Sequence, residues 1–191
     1  MIIECLLAAA ALALLALFLL LPGHAPFAKK APFSGWCYAH RGLHSPDKSI
    51  PENSLAAFAD AADAGYGMEL DVQLSKDGEV VVFHDDTLDR VAGVAGRVDA
   101  FDWADLKEMP LFREVLDTVA GRTPLIVELK SGPRNKELCQ KTLALLRSYE
   151  GAFCVESFDP TVVAWFRRNA PDILRGQLSD SCASFRKDGS S

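Results

Sequence analysis

The sequence has little of what nucleic-acid-binding and disulfide-stabilised proteins require. Its net charge is −6 and no basic block is longer than a pair such as Lys29-Lys30, so a nucleic-acid-binding surface is not expected. The five cysteines are an odd, scattered set without a C-x-x-C pair, which argues against a disulfide framework and suggests reduced, mostly buried thiols. We found no internal repeat or low-complexity segment, and the 191 residues suffice for one domain with a hydrophobic core.

One long apolar run lies at the N-terminus. No charged residue interrupts the stretch from Cys5 to Leu21, and Ile2-Ile3 extend it across Glu4. A helix rising about 1.5 Å per residue over this stretch is long enough to cross the hydrocarbon core of a bilayer. A cleaved signal peptide would need a basic leader and a small-residue cleavage site, and a helix packed on the core of a domain of this size would show a polar face, whereas this run is apolar all round. We therefore predict a single-pass transmembrane anchor over residues 1–22.

The segment after this run is rich in proline and predicts a juxtamembrane linker over residues 23–35. It contains Lys29-Lys30, and by the positive-inside rule these lysines place the following domain, residues 36–191, on the cytoplasmic side of the membrane. The predicted location is therefore the membrane, with the globular domain in the cytoplasm.

Short apolar strands alternate with amphipathic helices throughout residues 36–180. The predicted strands are 36–39, 67–74, 79–83, 125–129, 153–157 and 174–178. Helix starts are marked by capping residues, Asn53 or Ser54 in one case and Asp159 followed by Pro160 in another. This alternation predicts an α/β fold with parallel strands and right-handed crossovers, in which functional sites form at the carboxyl ends of the strands.

Carboxylates occur at these strand ends. Glu69 and Asp71 lie two residues apart on one strand, so both side chains point to the same face, and Glu128-Leu129-Lys130 repeats the spacing. Buried carboxylates this close together need a compensating charge, and oxygen ligands select a hard divalent cation, Mg²⁺ or Ca²⁺. The alternative is that they are edge-strand charges facing water.

Two histidines and two cations accompany the carboxylates. His40 and His84 are candidates for a general acid and base because imidazole titrates near neutral pH, although each alone would suit a hydrogen-bonded structural histidine. Arg41 and Lys130 can offset the charge of phosphate oxygens or form ion pairs with the acidic residues. Together the pattern suggests a metal-assisted site for phosphoryl chemistry.

Two further glutamates are candidates for an outer layer of this site. Glu52 could orient His40 or Arg41, or simply begin the next helix. Glu156 lies at the end of a predicted strand and is a candidate for the same opening.

Seven ordered motifs carry a resemblance to a known family. They are Ala39-His40-Arg41-Gly42, Pro51-Glu52-Asn53-Ser54, Gly67 to Val72, Lys76-Asp77-Gly78, Val82 to Asp85 with Leu88-Asp89-Arg90, Val127 to Lys130, and Ser157 to Pro160. Over residues 36–180 the chain resembles the glycerophosphodiester phosphodiesterase family.

The resemblance implies a TIM barrel that hydrolyses glycerophosphodiesters, the deacylated forms of phospholipids, to glycerol 3-phosphate and an alcohol. It implies His40 and His84 as the acid–base pair, and Arg41 and Lys130 beside the phosphate. It also implies a divalent metal ion held by three carboxylates, Glu69, Asp71 and Glu128. In the mechanism proposed for the family, a glycerol hydroxyl attacks phosphorus and water then opens the cyclic product.

The family barrel has eight strands, whereas six are predicted here, so we expect a barrel truncated after about six strands. Exposed sheet edges favour self-association. Two alternative functions stay open: a lysophospholipase D-like or sphingomyelinase D-like lipid phosphodiesterase, and a non-catalytic, membrane-anchored protein that binds phosphate or a partner.

Overall fold

A computed structural model describes residues 25–89, 95–106 and 109–180, together with Glu4, Leu7, Ala10 to Leu12 and Leu14. None of the helices among these residues has both the length and the apolar character that crossing a membrane requires. The anchor predicted over 1–22 lies almost entirely outside the described residues. The predicted linker contains a one-turn helix, which is followed by the 3₁₀ turn Ala31–Phe33.

Among the described residues, helices and strands alternate along the chain except where two strands follow one another directly. In order they are α1 (Phe27–Lys30), β1 (Tyr38–His40), α2 (Leu55–Asp63), β2 (Gly67–Leu74), β3 (Val80–Val82), α3 (Phe112–Val119), β4 (Leu125–Leu129), α4 (Asn135–Arg147), β5 (Phe153–Ser157), α5 (Pro160–Asn169) and β6 (Arg175–Gln177). The parallel strands lie in the order β1-β2-β4-β5-β6.

The prediction of parallel pairing was wrong for one strand. β3 pairs antiparallel to the carboxyl-terminal half of β2, with Val72 opposite Val82. The connection from Ser75 to Glu79 is a tight turn, and a parallel pair would need a crossover of a dozen or more residues. The six predicted strands therefore comprise five parallel strands and one hairpin strand in the described sheet.

The core lies between the sheet and the helices. On β2 the alternate residues Met68, Leu70 and Val72 are fully buried and pack against helix residues such as Phe58. Since side chains alternate across a strand, the intervening residues of β2 are left to the opposite face, which carries the candidate site.

Two predicted helix starts are confirmed. The Ser54 hydroxyl accepts a hydrogen bond from the Ala57 backbone N–H, and the Asp159 carboxylate accepts one from Thr161. The prediction of mostly buried thiols is only partly right, because Cys139 is buried and Cys37 is exposed.

Two phenylalanines test the location of the core. Phe58 is fully buried, whereas Phe27 is 75% exposed. Phe58→Ala should lower the free energy of unfolding by about 3–5 kcal/mol because it leaves a cavity, and Phe27→Ala by less than about 0.5 kcal/mol. Urea unfolding of the full chain, followed by tryptophan fluorescence, measures both. Equal losses in the two variants would contradict this arrangement.

Candidate active site

Three buried carboxylates meet on the site face of the sheet. Glu69 and Asp71 come from β2, and Asp71 pairs in register with Glu128 on β4. One oxygen from each of the three lies within 4.8 Å of the others. Their exposed fractions are 9%, 1% and 7% respectively, so the alternative of edge-strand charges facing water was wrong.

Lys130 compensates part of this charge. Its Nζ lies 2.8 Å from Glu128 Oε1 and 3.1 Å from Asp71 Oδ1. Burial lowers the pKa of Lys130, but the Asp71 charge and the hydrogen bond to Glu128 outweigh it, and the net pKa is raised. One ammonium group cannot balance three carboxylates, and an all-oxygen donor set fits a divalent cation of the Mg²⁺ or Ca²⁺ type.

The surroundings of Glu69 raise the pKa of its carboxyl group. Burial raises its pKa most, the charges of Asp71 and Glu128 raise it further, and together they move it from an ordinary 4.5 to about 8. The Arg41 backbone N–H donates to Glu69 Oε2 over 3.3 Å and only partly offsets the shift. Without a metal, Glu69 is therefore mainly protonated at neutral pH.

Arg41 is placed over the carboxylates by a tight loop. Its Nη1 donates to Glu52 Oε1 over 3.1 Å, and its Nε lies 3.7 Å from Asp71 Oδ2. Glu52 thus contacts one of its two predicted partners. The next residue, Gly42, has φ +79°, and a Cβ there would lie 2.9 Å from the Ala57 carbonyl carbon, which explains why the motif ends in glycine.

Asn53 contacts Asp71, and the sequence did not predict this contact. It is 4% exposed, and its Nδ2 donates to Asp71 Oδ2 over 3.0 Å. Its backbone N–H donates to the Arg41 carbonyl, and its φ of +54° lies in the left-handed region that asparagine tolerates. The sequence marked it only as a possible helix cap, a role that Ser54 fills.

The two histidines have different surroundings. His40 is the last residue of β1, and its Nε2 lies 3.7 Å from Glu69 Oε2. Burial lowers the pKa of His40, and the charge of Arg41 lowers it further. His84 lies just beyond β3, and its Nδ1 is 2.7 Å from Asp85 Oδ1, a contact that orients the ring and engages Nδ1 rather than Nε2. Asp85 had no predicted role, although it follows His84 directly.

Glu156 lies one strand further along the same row. It pairs in register with Glu128 and is half-buried, and within the described residues it makes no hydrogen bond or ion pair. Burial raises its pKa, as do the charges of Glu128 and Asp71. It is not part of the three-carboxylate group, and its outer-layer role stays a prediction.

The residues from His40 to Lys130 that form this site fall within a match to a known protein family. A model described as the glycerophosphoryl diester phosphodiesterase family matches residues 40–144. The chain belongs to this family.

Two curated proteins and one solved structure are similar to this chain. A glycerophosphodiester phosphodiesterase of Caldanaerobacter subterraneus is 32% identical over 163 residues, 73% of this chain and 65% of its own. A lysophospholipase D of Homo sapiens is 31% identical over 166 residues, 72% of this chain and 49% of its own. The solved structure of an Oleispira antarctica phosphodiesterase in complex with sn-glycerol-3-phosphate has a TM-score of 0.70 and 26% identity, covering 82% of this chain and 72% of that chain.

These comparisons support the TIM-barrel type of parallel sheet that the sequence predicted. The chain spans just under two thirds of the Caldanaerobacter relative and about half of the human one.

The pKa of Glu69 predicts how metal binding depends on pH. In the metal-free chain, protonated Glu69 contributes stability that is complete below the unfolded pKa near 4.5 and is lost as pH rises towards about 8. A metal needs the ionised form, so binding of Mg²⁺ or Ca²⁺ at pH 7 should release about one proton.

Calorimetric titration of the full chain in Pipes and in Tris measures that proton release as a difference in apparent enthalpy. The variant Glu69→Gln has no proton to lose there and serves as the control. The same apparent enthalpy in both buffers, after correction for metal–buffer binding, would contradict the assignment.

Proposed function

We propose that this chain is a metal-dependent phosphodiesterase that hydrolyses glycerophosphodiesters to glycerol 3-phosphate and an alcohol. The buried group of Glu69, Asp71 and Glu128 on one face of the sheet carries the proposal. The Oleispira relative, solved with sn-glycerol-3-phosphate, supports the substrate class.

The three carboxylates would hold Mg²⁺ or Ca²⁺, which supplies positive charge for phosphate oxygens and glycerol hydroxyls when bound. Lys130 adds a fixed charge on the same face, held between Asp71 and Glu128. Arg41 adds a planar donor, held in place by Glu52.

His40 and His84 divide the proton transfers. One ring accepts the proton of the attacking glycerol hydroxyl as its oxygen bonds to phosphorus. The other donates a proton to the alcohol oxygen as its bond to phosphorus breaks, which leaves a cyclic phosphate. The second ring then takes a proton from water as the water oxygen bonds to phosphorus, and the first ring returns its proton to the attacking glycerol oxygen as that bond to phosphorus breaks, giving glycerol 3-phosphate. Asp85 contacts Nδ1 of the His84 ring, so His84 would accept or donate its proton through Nε2.

The defining assay measures release of glycerol 3-phosphate from glycerophosphocholine by the full chain, with Mg²⁺, with Ca²⁺ and with a chelator. Activity should require one of the metals and fall at least about a hundredfold in Glu128→Gln, because a charge-stabilising group is lost. Glu150→Gln, at an exposed glutamate, is the matched control. Metal binding without cleavage of any diester would favour a non-catalytic binding protein.

A second candidate is cleavage of lysophospholipids, supported by the relative described as a lysophospholipase D. Parallel assays with glycerophosphocholine and with micellar lysophosphatidylcholine separate the two. A preference above about tenfold for the micellar lipid would assign the chain to the lipid-cleaving activity.

His84→Ala tests the acid–base assignment. Turnover of glycerophosphocholine should fall by at least about a hundredfold, as expected for loss of a general acid or base, while metal affinity measured by calorimetry stays nearly unchanged. His44→Ala, at an exposed loop histidine, should keep its activity. A His84→Ala variant that retains most of its turnover would refute the assignment.

We also propose that residues 1–22 anchor the chain in a membrane, with residues 36–191 in the cytoplasm. The uncharged run from Cys5 to Leu21 supports this, as do the lysines that follow it. The double variant Leu12→Lys/Leu14→Lys should move the full chain into the alkali-extracted fraction, since each lysine costs about 2.5–3.5 kcal/mol at the centre of a spanning helix. An unchanged distribution would oppose the anchor.

Self-association is a separate proposal that rests on the sheet edges. Among the described residues, the outer edges of β1 and β6 have no partner strand. Light scattering of the full chain over a range of concentrations measures the mass, and a monomer throughout would reject the proposal.

A further inference from the structure

Gln73 is the third side chain on the site face of β2. It lies two residues beyond Asp71 and four beyond Glu69, so strand alternation places all three on one face. It is 8% exposed, although it carries neither charge nor any part in the chemistry described above. A buried primary amide has to find partners for its donors, and those partners indicate what it does.

The Gln73 amide nitrogen donates two hydrogen bonds. It reaches the Phe83 carbonyl over 2.9 Å and the Asp85 carbonyl over 2.8 Å. Because carbonyl oxygens only accept, the nitrogen of the amide must face them, and both of its hydrogens are used. The two carbonyls belong to the residues immediately before and after His84.

The sheet alone does not fix this segment. β3 ends at Val82, and the Phe83 N–H makes a last backbone bond to the Asp71 carbonyl over 3.0 Å. His84 lies beyond that bond. The contact between Asp85 and the His84 ring lies within the same loop, so that contact does not fix the loop relative to the carboxylates.

We propose that Gln73 is a positioning residue for His84, holding it in register with the metal-binding carboxylates through the two flanking carbonyls. The inference rests on the proposed function, because only a catalytic His84 has to stay at a set distance from the carboxylates. Gln73 and Asp71 share one strand, so the side chain that holds the histidine and the carboxylate that would hold the metal belong to the same rigid segment. In this assignment Gln73 acts through His84, because both hydrogens of its amide nitrogen are already used by the Phe83 and Asp85 carbonyls.

The test uses Gln73→Met in the full chain, because methionine keeps the length of the side chain and removes both donors. Turnover of glycerophosphocholine should fall about tenfold to a hundredfold, as expected for a general acid or base displaced by about 1 Å, while KM changes less than about twofold. Metal affinity should stay within about twofold of the wild type.

Gln177→Met, at an exposed glutamine, is the control. Gln177 also donates from its amide nitrogen to loop carbonyls at a strand end, those of Ser157 and Phe158, each over 3.1 Å. That loop carries no proposed acid or base, so turnover should stay within about threefold of the wild type. A similar loss of turnover in both variants would mean that any loosened loop has this effect and would overturn the proposal.

A double-mutant cycle separates positioning from general damage. If Gln73 acts through His84, then adding Gln73→Met to His84→Ala should lower the residual turnover by less than about threefold. The same fold loss in the presence and absence of His84 would overturn the proposal, as would no loss in the single variant.

Histidine ring resonances provide a readout independent of activity. The chain has four histidines, so ¹⁵N-histidine labelling gives a small set of ring signals, and the His84 signal is the one missing in His84→Ala. Gln73→Met should shift or broaden this signal while leaving that of His44 unchanged, and Gln177→Met should not affect it. If the wild-type chain cleaves no diester, the proposed function fails, and this signal alone decides the role of Gln73. An unchanged His84 signal in Gln73→Met rejects that role.

Discussion

Burying three carboxylates within one small volume is the constraint on which this site depends. Such charges are tolerated inside a protein only when cations and hydrogen-bond donors surround them. Lys130 supplies a cation, Asn53 donates to Asp71, and the raised pKa of Glu69 shows that the compensation is incomplete. A divalent ion bound to the carboxylates would supply the missing positive charge, and the phosphoryl chemistry that we propose would use that ion.

β2 joins every part of the site. It pairs with β1, which ends in His40, with β3, which leads to His84, and with β4, which carries Glu128. One face of this strand is fixed by the apolar core and the other presents the carboxylates. Backbone hydrogen bonds therefore set the relative positions of His40 and the three carboxylates. His84 lies beyond the last of these bonds, and Gln73 holds the carbonyls on either side of it.

The features that the sequence predicted correctly depend on residues that lie close together along the chain. The spacing of Glu69 and Asp71 fixes them on one face because strand side chains alternate, and the helix caps at Ser54 and Asp159 follow from local hydrogen bonding. Even the antiparallel direction of β3 was implied by the short turn from Ser75 to Glu79, although the alternation of strands and helices suggested otherwise.

By itself, then, the sequence determined the family, the order of the strands along the chain and the residue types at their ends, because motifs and periodicity are local properties. Only the tertiary structure decided which of these residues meet. Asn53 reaches Asp71 across 18 residues and Gln73 reaches the His84 loop across 10 or 12, and no local pattern distinguishes these amides from ordinary polar residues. Their partners are chosen by the register of neighbouring strands and by the exclusion of water, and both arise only when the chain has folded.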